Sequence, residues 1–173
     1  MVSFGENYEI RQAKMTVNNR DGCLLIIQEI ARHHSTHIVC FNADKLAGQE
    51  HADAAIRHAQ RSMLSAKPIS NSFEMEALLF AAGSRQCSVA ALFGIHEGEN
   101  NMFVCSYPVK EDMWMALSHH MHFVTESWDD WNADKIACLI SLFGITPDEL
   151  ETVGQERIKD LVLERIALLE VYR

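Results

Sequence analysis

The chain is poor in positive charge: 15 Lys and Arg stand against 24 Asp and Glu in 173 residues, a formal net charge of −9. Proteins that coat long stretches of nucleic acid through its phosphates carry a basic excess, so that class is excluded for the surface as a whole. Any nucleic-acid contact has to be local, or shared with a more basic partner. Only three prolines and no low-complexity runs occur, which argues against long disordered linkers. The five cysteines (23, 40, 87, 105 and 138) are odd in number and contain no C-x-x-C pair, which argues against a disulfide framework and a structural zinc site. No stretch approaches 18 uninterrupted apolar residues, and the opening MVSFGENYEIRQ lacks a basic-then-apolar leader pattern. A cytoplasmic protein with no membrane partner is the expectation. Also missing are a glycine-rich phosphate loop, a dinucleotide fingerprint, a nucleophile elbow and an H-E-x-x-H zinc motif. These absences count against catalysis without closing it off, and no cofactor is expected.

What is present reads as one helix-rich domain of the α/β or α+β class, with a small mixed sheet packed against several helices. YEIRQAKMTV (8–17) alternates loosely as a strand. Asp21 opens a helix over CLLIIQEIARHH, and HIVCF (37–41) has the β-branched and aromatic content of a buried strand. Asn42 and Asp44 are cap candidates for a long alanine-rich helix over roughly 45–65. Asn71 and Glu74 have the spacing of a capping box, ahead of a helix that stops at Gly83. Ser84 then caps a further helix, RQCSVAALF, which stops at Gly94. MFVCSY (102–107) is a second clear strand, DMWMALSHHM is helical, and HFVTES is a short strand. ADKIACLISLF ends at Gly144, Thr146 to Glu149 form another capping box with Pro147 at the first helical position, and QERIKDLVLERIALLEVY closes the chain as a helix.

Four features invite a chemical reading. The histidine clusters His33, His34, His37 and His119, His120, His122 have the side chains for a metal, but histidines at helix C-termini more often serve the last free carbonyls. Asp129 and Asp130, between Trp128 and Trp131, read as a solvated loop with its tryptophans tucked beneath it. On the last helix, Ile158, Leu161, Val162, Arg165 and Leu169 form one stripe, while Leu163, Ile166, Ala167 and Leu168 carry apolarity almost all round. A helix of this kind is either central to the core or covered by a partner; in isolation it also suits a second copy of the chain. The fourth feature is Gly83, Ser84, Arg85, Gln86 and Cys87, where two helices meet almost without connection. A helix start offers free N–H groups, Arg85 a planar donor fork for phosphate, and Gln86 a hydrogen bond to a base or ribose. The plainer reading is a stop, a cap and a solvated arginine.

Three blocks carry a resemblance: EHADAAIRHAQRSM (50–63), ISNSFEMEALLFAAGSRQCSVAALFGIHEGENN (69–101) and FGITPDELETVGQERIKDLVLERIALLEVY (143–172). In this order they resemble the family of small kinase-binding subunits of the KEOPS complex, particularly its archaeal members. The resemblance implies a non-catalytic subunit that docks on the complex's small atypical kinase and supports threonylcarbamoyladenosine modification of tRNA. It implies further that the protein holds the single-stranded 3′ CCA end of tRNA. Gly83, Arg85 and Gln86 match the family's central motif, while Cys87 replaces its usual isoleucine. The stripe Ile158, Leu161, Val162, Arg165 and Leu169 then becomes the candidate kinase interface. Two alternatives stand beside this: a helix-turn-helix DNA-binding regulator built on 71–93, and a small metal-dependent enzyme using the histidines.

Overall fold

A computed structural model describes residues 7–65 and 67–172; the first six residues, on which part of the leader reading rests, lie outside it. Four strands form one antiparallel sheet in the order β2-β3-β1-β4: β1 Glu9–Val17, β2 His37–Asn42, β3 Gly98–Tyr107 and β4 His122–Val124. The domain is of the expected helix-rich class, and every strand pair is antiparallel. The sheet separates two cores, which explains why β2 is apolar at consecutive positions rather than alternate ones. Ile38 and Cys40 face one core, with Ala13, Met102 and Val104; Val39 and Phe41 face the other, with Phe103 and Cys105.

The first core is closed by α1 (Arg20–His33) and α5 (Glu111–Leu117). The second is closed by α2 (Gln49–Leu64), α3 (Phe73–Ala82), α6 (Ala133–Phe143) and α8 (Ile158–Tyr172). Two short helices, α4 (Cys87–Ala90) and α7 (Pro147–Val153), complete the set.

Several element starts differ from the sequence reading by one competing cap. Asn19, not Asp21, caps α1, its side chain accepting from Gly22 N–H at 3.0 Å. The long helix expected over 45–65 is interrupted: Asn42 caps a single 3-10 turn at Ala43–Lys45, which ends at the extended Leu46, and α2 starts only after Gly48, its N-cap at φ +84°. At α3 the cap is Ser72, whose Oγ accepts from Met75 N–H at 3.0 Å. Glu74 pairs with His37 instead, at 2.7 Å. The carboxylate that folds back is Glu76, buried, accepting from Ile69 N–H at 3.1 Å, Ser70 N–H at 2.7 Å and the Ser62 hydroxyl. The box at Thr146 and Glu149 forms as its spacing predicts, and Gly144 ends α6 with φ +58°. Trp128 packs edge-on against Phe103 at 5.5 Å, so the acidic pair does sit on a loop with a tucked tryptophan.

The last helix requires a correction. Ile158, Leu161, Val162 and Leu169 are buried in the protein's own second core, between α2, α3 and α6. Arg165 is equally occupied, donating to the carbonyls of Phe143 (2.6 Å) and Gly144 (3.3 Å) and to the Glu149 carboxylate (2.8 Å). It ties the end of α6 and the start of α7 to α8. The proposed interface stripe is therefore the inward face of this helix.

Candidate nucleic-acid interface at the α3–α4 joint

Apolar residues surround α3 on all sides, and it is central: Phe73, Ala77, Leu79, Phe80, Ala81 and Ala82 are all buried. Its C-terminus needs a chain reversal, and Gly83 makes it at φ +60°, ψ +33°. Gly83 N–H donates to Phe80 O and Ser84 N–H to Leu79 O, both at 3.1 Å, which satisfies two carbonyls that the helix would leave free. A Cβ at Gly83 would meet only ordinary contacts, Ile166 Cγ2 at 3.8 Å and Arg165 O at 3.9 Å. The left-handed conformation, not lack of room, is what calls for glycine.

Ser84 stabilises the connecting turn, its Oγ accepting from Gln86 N–H at 3.1 Å. Gln86 occupies the cap position of α4, and its carbonyl accepts from Val89 and Ala90 N–H. The expected nine-residue helix is in fact four residues of α-helix followed by a 3-10 turn at Ala91–Phe93. One turn aligns few peptide dipoles, so the macrodipole envisaged for an anion here is slight. It is also too short to serve as a recognition helix along a major groove, which removes the main support for a DNA-binding helix-turn-helix.

Arg85, Gln86 and Cys87 are exposed. Cys87 thus lies at the surface, away from the core. Arg85 does not extend freely into solvent: its Nη1 donates to Tyr172 O at 3.0 Å, in the last turn of α8. That bond uses one of five guanidinium N–H groups. The end of α8 next to it is apolar and open, with Leu168, Val171 and Tyr172 exposed by 43%, 71% and 73%. The joint therefore meets the end of α8 through the Tyr172 carbonyl, and both Arg85 and the Tyr172 side chain are exposed there.

Two histidines that sequence reasoning did not single out support this arrangement. His51 is fully buried in the first turn of α2. Its Nδ1 accepts from Ala47 N–H at 2.9 Å, so Nε2 carries the proton and donates to Ala81 O at 2.8 Å, two residues before Gly83. Burial pushes its pKa down to about 4, because a charged imidazolium there would lose hydration. His58, stacked on Phe80 at 5.3 Å, lies 2.5 Å from the Glu170 carboxylate, which also accepts from Arg61 Nε at 3.1 Å. These contacts hold the final turns of α8 against α2, and so fix Tyr172 relative to Arg85. The only sequence signal was a histidine at each of two alanine-flanked positions of EHADAAIRHA.

The histidine clusters take other roles. His37 bonds Glu74, which holds its pKa above the usual imidazole range, and His33 and His34 pack edge to face at 5.0 Å. Among the described residues no three His, Cys, Asp or Glu side chains converge as a metal would require. No described helix is long and apolar enough to cross a membrane. In comparisons with known proteins, no family model and no curated protein matches the chain.

Proposed function

We propose that this chain is a non-catalytic subunit of the KEOPS complex. It docks on the complex's small atypical kinase in the cytoplasm and grips the single-stranded 3′ CCA end of tRNA, in support of threonylcarbamoyladenosine synthesis at position 37. The observation that carries the reading is the exposed Arg85 held beside Tyr172 at the α3–α4 joint. Recognition of a single strand combines a cation for the backbone with a planar surface on which a base can stack; in this reading Arg85 supplies the cation, and the exposed side chain of Tyr172, whose carbonyl Arg85 bonds, supplies the surface. The acidity of the whole chain fits the same picture, since only a local contact is needed and the wider basic surface belongs to partners. The three sequence blocks that resemble the kinase-binding subunits supply the rest of the assignment.

The kinase-facing part of α8 moves to its outward face. With the stripe used by the core, Leu168 and Val171 are the large aliphatic residues of this helix that remain open to a partner. Co-purification with the cognate kinase tests the docking half: Val171→Asp with Leu168→Asp should abolish capture without loss of folding. Capture by the double variant at the wild-type level would remove α8 from the interface. For the RNA half, Arg85→Ala should weaken tRNA binding about tenfold or more, as expected when a charged hydrogen bond worth ~1.5–3 kcal/mol is lost. An unchanged titration would remove Arg85 from the site.

A further inference from the structure

A second recognition surface lies across the molecule, on the opposite edge of the sheet from β2. β1 is a central strand for only part of its length. On the β3 side it pairs from Glu9 to Val17, but on the β4 side only Gln12, Ala13 and Lys14 have partners. If β4 continued past Val124 it would run alongside Arg11, Ile10 and Glu9. Instead the chain departs: Glu126 N–H is diverted to the side chain of Gln12 at 3.1 Å, and Trp128 carries the loop over to Phe103. The lane beside Glu9–Arg11 is left without a strand among the described residues. Alternate residues of a strand direct N–H and C=O groups to each side, so this lane retains a row of outward backbone donors and acceptors.

The vacant lane opens into a cavity of about 480 Å³. Ile10, Phe103 and Trp128 line its apolar part, and Asp129 stands at its rim. The charges around it are unequally satisfied. Arg11 is held by Glu9 at 2.7 Å and Glu111 at 3.6 Å, and it lies over the Trp114 ring at 4.5 Å. Glu126 is engaged by Lys14 and by Trp128 Nε1, both at 2.9 Å. Asp129 has no ion-pair partner among the described residues; its carboxylate stands beside Gly48 at the start of α2, so the side-chain charge left unpaired at the groove is negative.

We propose that this lane is a docking site for an extended peptide segment of a partner protein, which adds as a short strand alongside Glu9–Arg11. The unpaired edge sets the backbone conformation of the occupant, because only an extended chain can satisfy it. The pleat sets its side chains: residues two apart share the cavity face. One of them is apolar, packing on Ile10, Phe103 and Trp128, and the other is basic, reaching Asp129. The residue between them faces Arg11 and is neither basic nor bulky. This surface is separate from the joint, and the inference does not depend on tRNA binding.

The probe is a fluorescent hexapeptide with leucine and lysine two positions apart among serine and threonine, titrated into the full chain and followed by amide NMR. Saturable binding is expected, with shifts at the Glu9–Arg11 amides and at the Trp128 indole N–H. Replacing the peptide's lysine by glutamate should weaken binding at least tenfold, as should Asp129→Lys. Asp129→Asn, which keeps the shape of the loop, should weaken it severalfold. No saturation at millimolar peptide would overturn the proposal, as would shifts confined to another face. Equal affinity for the lysine and glutamate peptides would overturn the basic-partner assignment. Concentration-dependent dimerisation that the peptide does not displace would show that a second copy of the chain occupies the lane instead.

Discussion

Lowering the pH from 7.5 to 5 should destabilise the protein through His51 by an amount that its geometry sets. The buried imidazole is neutral, with both ring nitrogens committed to backbone groups: Nδ1 accepts from Ala47 N–H, and Nε2–H donates to Ala81 O. Protonation would turn the accepting nitrogen into a donor facing a donor, in a site closed off from solvent. The native state therefore takes up the proton only near a pKa of about 4, whereas an unfolded chain takes it up near the ordinary value of 6.5. Between those two values the unfolded state binds more protons, so stability falls as pH falls. The contribution is fully present above about 6.5 and exhausted below about 4. At about 1.4 kcal/mol per unit, the separation amounts to roughly 3 kcal/mol, of which about 2 kcal/mol is lost by pH 5. Urea unfolding at pH 7.5, 6 and 5, compared with His51→Gln, isolates this term, since carboxylate titrations common to both proteins cancel. The variant is expected to be less stable at pH 7.5, by about 1–3 kcal/mol for the backbone groups left unpaired, and to show a shallower pH slope. Identical slopes in the two proteins would refute the assignment of a neutral, doubly bonded His51.

Other consequences are more local. Gly83→Ala places a Cβ in the left-handed region and should lower stability by about 1 kcal/mol; a neutral or stabilising outcome would mean the joint relaxes out of that conformation. Arg165→Met removes the donors to Phe143 O, Gly144 O and Glu149, and should reduce the urea midpoint by the equivalent of ~2 kcal/mol while leaving kinase capture intact. Unchanged stability with lost capture would restore Arg165 to the interface. Leu161→Ala in the second core should cost about 2–5 kcal/mol, whereas Val171→Ala at the surface should stay within ~0.5 kcal/mol. Comparable losses at both would contradict the orientation of α8.

Much of this fold is legible locally, and what is not depends on partners distant in the chain. The strands 37–41 and 102–107, the stops at Gly83 and Gly144 and the box at Thr146 each follow from residue types within a few positions, and each forms. The box at Asn71 does not form: Ser72 takes the cap, with Met75 rather than a carboxylate at the third helical position, and Glu76 finds its donors in Ile69 and Ser70 rather than within the helix. The last helix is apolar on nearly every side, so periodicity could not say which face turns inward. Packing against α2, α3 and α6 decides it. The candidate site was found from the Gly-Ser-Arg-Gln run, but its second half was not. Arg85 meets Tyr172 across 87 positions and His51 meets Ala81 across 30, and no local spacing encodes either contact.

Whether the joint grips the 3′ end of tRNA is decided by a pair of titrations, with intact tRNA and with tRNA lacking its CCA end. Removing CCA should weaken binding by the wild-type protein at least tenfold, and Arg85→Ala, already weakened, should lose little more. Equal affinity of the wild-type protein for both RNAs would contradict the grip.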